Sequence, residues 1–200
     1  MKSRNAFTLI EMLVVIAIIA MLASILVPAV SASLARARGV RCISNIRSIT
    51  QASFLWAVDN EPNAMPGEIN SPPNNDHWVV LIRPYLGTDK IKTVQNRRGF
   101  HCPETDGSLW NLGYAMNVVP GYPEETKAFR PDRGFGKWYR QFDITHPSDR
   151  IRFVDSHDWQ VNHNYLTIAP RHRDRASASF WDGSVRSLTM EQAEKAIIDP

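Results

Sequence analysis

Residues Phe7 to Val27 read FTLIEMLVVIAIIAMLASILV, an apolar run broken by a single carboxylate, Glu11. As a helix rising about 1.5 Å per residue, such a run reaches about 30 Å, the thickness of a bilayer's hydrocarbon core. A buried core helix of a water-soluble domain is rarely so uniformly apolar. The segment therefore belongs in a membrane at some stage. Three arrangements meet that requirement. In a secretory signal peptide, Lys2 and Arg4 form the basic end and Val30-Ser31-Ala32 supplies small residues for cleavage, so that the mature chain starts at Ser33. A plain signal anchor is the second. The third is a short leader ahead of a retained helix, and it alone gives Glu11 a use. A carboxylate near the centre of a membrane helix costs roughly 2.5–3.5 kcal/mol, less near an end, and intramembrane charges are as a rule paired and functional. Cleavage after Ala6 would free the amine of Phe7 one turn from Glu11, or present that carboxylate to the amine of a neighbouring chain.

Ala6-Phe7-Thr8-Leu9-Ile10-Glu11 resembles the cleavage and methylation site of type IV pilins and type II secretion pseudopilins. In that family a prepilin peptidase removes the basic leader and N-methylates the new terminal Phe. The resemblance implies a leader of residues 1–6, a membrane and filament-core segment over 7–30, and a head over 31–200. It makes Ala6 and Phe7 the cleavage and methylation pair and Glu11 an assembly residue. Pro28 lies where pilins commonly carry a helix-bending proline, which removes one backbone donor and predicts a kink or local melting. The family usually has Gly where Ala6 stands. The implied partners are prepilin peptidase, other pilin or pseudopilin subunits, an inner-membrane assembly platform and membrane lipid. The implied place is the cytoplasmic membrane, with the N-terminus in the cytoplasm and the head in the periplasm until assembly. Which machine is served, type II secretion, a type IV pilus or DNA uptake, is left open.

Charge adds little. Of 23 Lys and Arg, Lys2 and Arg4 lie in the leader, which leaves 21 against 20 Asp and Glu in the remainder. A near-neutral chain offers no phosphate-tracking surface, and no nucleic-acid partner is predicted. With 44% hydrophobic and 22% charged residues the chain has the composition of a folded domain.

Beyond Pro28 the helical pattern runs to about Asp59. Ile43, Ile46, Thr50, Phe54, Ala57 and Val58 recur at three- and four-residue steps, a stripe suited to packing on a sheet. Residues 60–76 read as loop. His77 to Leu86 reads as a short helix broken by Pro84, and short strands are expected near Gly113–Val119 and at Ile151-Arg152-Phe153-Val154. Ala176–Trp181 and Ser184–Leu188 flank Asp182-Gly183, which predicts a type I′ hairpin. Thr189-Met190-Glu191-Gln192 predicts a capping box opening a C-terminal helix. The fold class is α+β, a long N-terminal helical spine packed on a small antiparallel sheet.

A second resemblance covers the C-terminal half. His172, nine intervening residues and then Asp182-Gly183 resemble the H-x9-DG element of many pilin-like proteins, with Cys102-Pro103, Tyr114-Ala115-Met116-Asn117 and Phe153-Val154-Asp155-Ser156 in keeping. Physically, Asp182 and Gly183 suit a turn, and the His172 imidazole suits a hydrogen bond across the hairpin base.

Two further groups of residues carry chemistry. Cys42 and Cys102 lie outside the cytoplasm under the pilin topology, where a disulfide between them would close a loop worth roughly 4 kcal/mol. Asp155, His157, Asp158, His163, His172 and Asp182 form the one site-like cluster. No resident cofactor is implied; a structural divalent cation on Asp155, His157, His172 and Asp182 is the exception those residue types allow. No catalytic residue stands out, and an enzyme is not predicted. The rival reading is a secreted or anchored envelope enzyme using that cluster, or a glycan-binding head using the six dispersed tryptophans.

Overall fold

The computed structural model describes residues 8–60, 78–87, 101–105, 113–117, 144, 146–157, 160–161 and 167–198. Ala6, Phe7, Asp158, His163 and the loop over 60–76 lie outside the described residues, except for the helix-terminal Asn60. The chain divides into two units, Met1–Ala37 and Arg38–Pro200.

Helix α1 spans Leu9–Asn60 and supplies residues to both units. In the first unit it is exposed all round: Leu9, Ile16, Met21, Leu22 and Val27 keep more than half of their surface. It is long and apolar enough to cross a membrane. The helix continues unbroken through Pro28, so the expected local melting does not occur there. One lost hydrogen bond is a small defect in a helix held cooperatively by the rest of its ladder. Near Pro28 the hydroxyls of Ser24, Ser31 and Ser33 donate to the carbonyls of Met21, Pro28 and Ala29.

In the second unit the same helix buries Cys42, Ile46, Ile49, Ala52, Ser53, Trp56 and Ala57. That stripe corrects the expected one at its two ends: Ile43 is half-buried and Val58 is exposed. Small residues at positions 52, 53 and 57 let the helix approach its neighbours closely, and Thr50 and Ser53 satisfy their hydroxyls on the helix's own carbonyls. Helix α2, Trp78–Ile82, runs into a 3₁₀ turn at Arg83–Leu86. Pro84 sits in that turn's first positions, where its missing N–H costs nothing.

Among the described residues, five strands form one sheet in the order β3-β1-β2-β4-β5, with β1 Tyr114–Asn117, β2 Ile151–Asp155, β3 Gln160–Val161, β4 Arg175–Phe180 and β5 Val185–Thr189. Four strands are antiparallel as expected. The edge strand β3 departs from the expectation by running parallel to β1. Two residues are too short a run to show a period in the sequence.

The sheet is covered on both faces. Tyr114, Met116 and Phe153 pack with α1 and Trp78, whose ring lies 5.0 Å from that of Phe153. Ala115, Ile151, Val154, Ala176, Ala178 and Phe180 form the other face's core with Ala193 and Ile197 of helix α3, Met190–Ile198. A bulge lies between Ile151 and Phe153, where two residues of β2 face one of β4. The extra residue, Arg152, joins Phe153 on one face. Its guanidinium lies 4.3 Å from the Phe54 ring centroid and 5.0 Å from that of Trp181.

The hairpin between β4 and β5 is present, with a different turn. Phe180 accepts from the Gly183 N–H, Gly183 alone has positive φ (86°), and Phe180 N–H donates to Ser184. This is a three-residue loop ending in a left-handed glycine, because Trp181 is buried and drawn into the turn rather than the strand. The Asp182 carboxylate accepts from Ser184 N–H at 2.8 Å. The predicted capping box is formed in both directions: Thr189 N–H donates to Gln192 Oε1 at 3.0 Å, and Gln192 N–H to Thr189 Oγ1 at 3.3 Å.

Candidate functional site

The first candidate region is the start of α1. Glu11 reaches back to the first turn, where its carboxylate accepts from Thr8 N–H at 2.9 Å and from Thr8 Oγ1 at 2.8 Å. Glu11 N–H donates to Thr8 Oγ1 at 3.4 Å. Thr8-x-x-Glu11 is thus a reciprocal capping box that fixes where the helix begins. This local role is additional to the charged partner expected for Glu11, and the Thr-x-x-Glu spacing is its signal in the sequence. The two roles are compatible, since a carboxylate has lone pairs for more than one donor.

The second region lies in the unit Arg38–Pro200 and brings together four residues far apart in sequence. Cys42 comes from the buried stripe of α1, Asp155 from the end of β2, Cys102 from the segment 101–105 and His172 from the turn before β4. One ligand atom from each of these four residues lies within 4.8 Å of every other. Cys42, Cys102 and Asp155 have no exposed surface, and the His172 side chain keeps 10%.

Each arm of this cluster is positioned by local structure. The 101–105 segment folds as a turn closed by Thr105 N–H donating to Cys102 carbonyl at 3.0 Å. Asn45 of α1 donates to His101 carbonyl at 3.2 Å, and Arg38 pairs with Glu104 at 3.2 Å. Gly113 has φ 82°, and a Cβ there would lie 2.8 Å from Cys102 Cβ and 2.7 Å from Thr105 Cγ2. Only glycine lets β1 begin so close to the cysteine. His172 opens a tight turn: its N–H donates to Arg175 carbonyl at 3.1 Å and its carbonyl accepts from Arg175 N–H at 3.3 Å. Arg173 and Asp174 both have positive φ, the backbone of the type I′ turn expected at Asp182-Gly183 and found here instead. Asp155 is held by Ser177 N–H, which donates to Oδ2 at 2.6 Å.

His172 Nε2 stands 3.2 Å from Cys102 Sγ and 3.9 Å from Asp155 Oδ2. The imidazole therefore faces a sulfur and a carboxylate and does not bond across the hairpin base. The second oxygen, Asp155 Oδ1, is buried without a hydrogen-bond partner among the described residues. Interaction with the Cys42 thiol, then with His172, holds Cys102 below the ordinary thiol range, while Cys42 is raised first by Cys102 and then by burial. Contact with Cys102 raises His172 above its ordinary range. Burial pushes Asp155 up to about 7, against the opposing pull of Ser177 N–H. Such a group of acceptors, closed off from water, can share protons or hold a cation.

The expected ion ligands separate. Asp155 and His172 come together, whereas His157 is exposed and faces Arg171 Nη2 at 3.3 Å. Asp182 sits in the turn at the opposite end of β4 from His172, so the H-x9-DG spacing covers one strand and its two flanking turns. Six strand residues at about 3.3 Å each put roughly 20 Å between those turns. Cys42 and Cys102, expected as a disulfide pair, are both buried and are neighbours in this cluster.

Residues 1–27 match the family model of the prokaryotic N-terminal methylation motif, the signal of type IV pilins and pseudopilins. No curated protein and no solved structure matches the chain.

Proposed function

We propose that this chain, whose N-terminus carries the type IV pilin and pseudopilin signal, is the precursor of a filament subunit. The precursor sits in the bacterial cytoplasmic membrane through residues 7–30, with residues 31–200 outside. Prepilin peptidase cuts between Ala6 and Phe7 and methylates the new amine. Mature subunits then leave the bilayer for a filament whose core is the bundled apolar helices.

The observation that carries this reading is the exposed first part of α1, which coincides with the matched motif. Between Leu9 and Val27 large apolar side chains point outward on every side. Such a surface requires lipid or other apolar helices around it. Filament assembly supplies the second once the first is left. Glu11 then meets the Phe7 amine of its own or a neighbouring subunit, so that neither charge stays unpaired in an apolar surrounding.

Shearing and sedimentation of native envelopes test the proposal. The mature chain should appear in the sheared, sedimenting filament fraction alongside other pilin-like subunits. Recovery of all the protein as free soluble monomer would overturn it.

A further inference from the structure

We propose that Cys42, Cys102, Asp155 and His172 form a structural binding site for one zinc-class divalent cation. The donor set is two sulfurs, one imidazole nitrogen and one carboxylate oxygen, which suits a borderline-soft ion of tetrahedral habit. Zinc bonds of about 2.0–2.3 Å at a tetrahedral angle separate neighbouring ligand atoms by about 3.3–3.8 Å. The separations of 3.2 Å for Cys102 Sγ to His172 Nε2 and 3.9 Å for His172 Nε2 to Asp155 Oδ2 bracket that range.

A second, independent observation points to a ligand. Asp155 Oδ1 is a buried carboxylate oxygen with no hydrogen-bond partner among the described residues, an arrangement that is costly unless something cationic satisfies it. Oδ2, the oxygen facing His172, also accepts from Ser177 N–H, a contact that orients the carboxylate while leaving it lone pairs for an ion. His172 presents Nε2 to the cluster, and its backbone is held by the type I′ turn that it opens. Gly39 of α1 passes beside the His172 side chain, with which an added Cβ would make ordinary van der Waals contact at 3.6–3.7 Å.

Burial of three donors and near-burial of the fourth make the site closed, as in structural rather than catalytic zinc centres. On binding, zinc takes both sulfurs as thiolates and the imidazole in its neutral form, and the protons those groups still carry leave to solvent. The ion would clamp α1 to the 101–105 segment, to β2 and to the turn before β4. It would supply a cross-link within the head. This inference does not depend on the filament proposal.

The test uses the full chain purified in detergent under reducing, anaerobic conditions, with zinc chloride or cobalt(II) chloride as the only added ligand. Metal analysis should give about one zinc per chain. Cobalt should show the thiolate charge-transfer and intense visible bands of a tetrahedral sulfur-containing site. Cys42→Ser and His172→Ala should each weaken zinc binding by at least about 100-fold, no less than an outer-contact loss. His157→Ala and Asp182→Ala should leave binding unchanged. The wild-type cobalt spectrum does not depend on any variant folding. Absence of stoichiometric metal and of those bands overturns the proposal. So does native-envelope protein lighter by two hydrogens with no free thiol, which would make the pair a disulfide. Retention of zinc by a Cys42→Ser, Cys102→Ser double variant also overturns it.

Discussion

Gly113→Ala isolates the close packing that seats Cys102. At φ 82° an alanine carries left-handed strain of about 1–2 kcal/mol. Its Cβ would also stand 2.7 Å from Thr105 Cγ2, 2.8 Å from Cys102 Cβ and 3.2 Å from Cys102 N. Two of these contacts lie on short or backbone-near atoms that cannot swing away, and overpacking of this kind costs about 1–3 kcal/mol. The carbonyl of Gly113 accepts from Ser156 N–H at 2.9 Å and from Arg171 Nη1 at 3.1 Å, so relief by backbone movement disturbs those bonds too. The sum is about 2–5 kcal/mol. At about 2–4 °C per kcal/mol for a chain of this size, the melting temperature should fall by about 4–20 °C. Gly87→Ala is the control: its φ is 67° but nothing lies within 4 Å of the added Cβ, so it carries the strain alone. Thermal unfolding of the full chain in detergent, followed by near-ultraviolet circular dichroism, compares the two. A Gly113→Ala cost within about 0.5 kcal/mol of Gly87→Ala would refute the packing argument.

Trp78→Ala should be the costlier change in the core, about 3–5 kcal/mol by denaturant unfolding, because the ring is 2% exposed and packed on Phe153. Thr189→Ala removes the acceptor for Gln192 N–H and should cost about 1 kcal/mol, with α3 still docked through Ala193 and Ile197; a change in the near-ultraviolet spectrum of the folded protein would contradict that. Glu11→Ala should leave head stability within about 0.5 kcal/mol of wild type, as measured by thermal melting. The same variant should lower incorporation into sheared filaments at least tenfold, equivalent to about 1.4 kcal/mol, and equal incorporation would remove Glu11 from the assembly account.

What was legible in the sequence was local. The capping box at Thr189 and Gln192, the hairpin on either side of Asp182-Gly183 and the strands at Tyr114 and Ile151 each depend on residues a few positions apart. The apolar run and its match to the methylation motif are local in the same sense. Misreadings arose where neighbours in space decided the outcome. The Asp182-Gly183 turn takes three residues because Trp181 turns inward, and Val58 leaves the stripe because no described residue covers its side chain. The bulge at Arg152 is invisible in a strand whose residues are all buried.

The four-residue cluster was half legible. Both cysteines, Asp155 and His172 stood out singly, yet they lie 60, 53 and 17 positions apart along the chain. No compact metal spacing links them, because the sheet order and the seat of α1 do that work. Gly113 gave no signal at all: its role is the absence of a side chain beside a residue eleven positions earlier.

The N-terminal residue and intact mass of the protein recovered from its native envelope test the central claim most directly. The account predicts a chain beginning at N-methylated Phe7, with Lys2 and Arg4 gone and the apolar helix retained. A chain beginning at Ser33 would contradict it, since the helix would then be a discarded signal and the head a freely secreted protein.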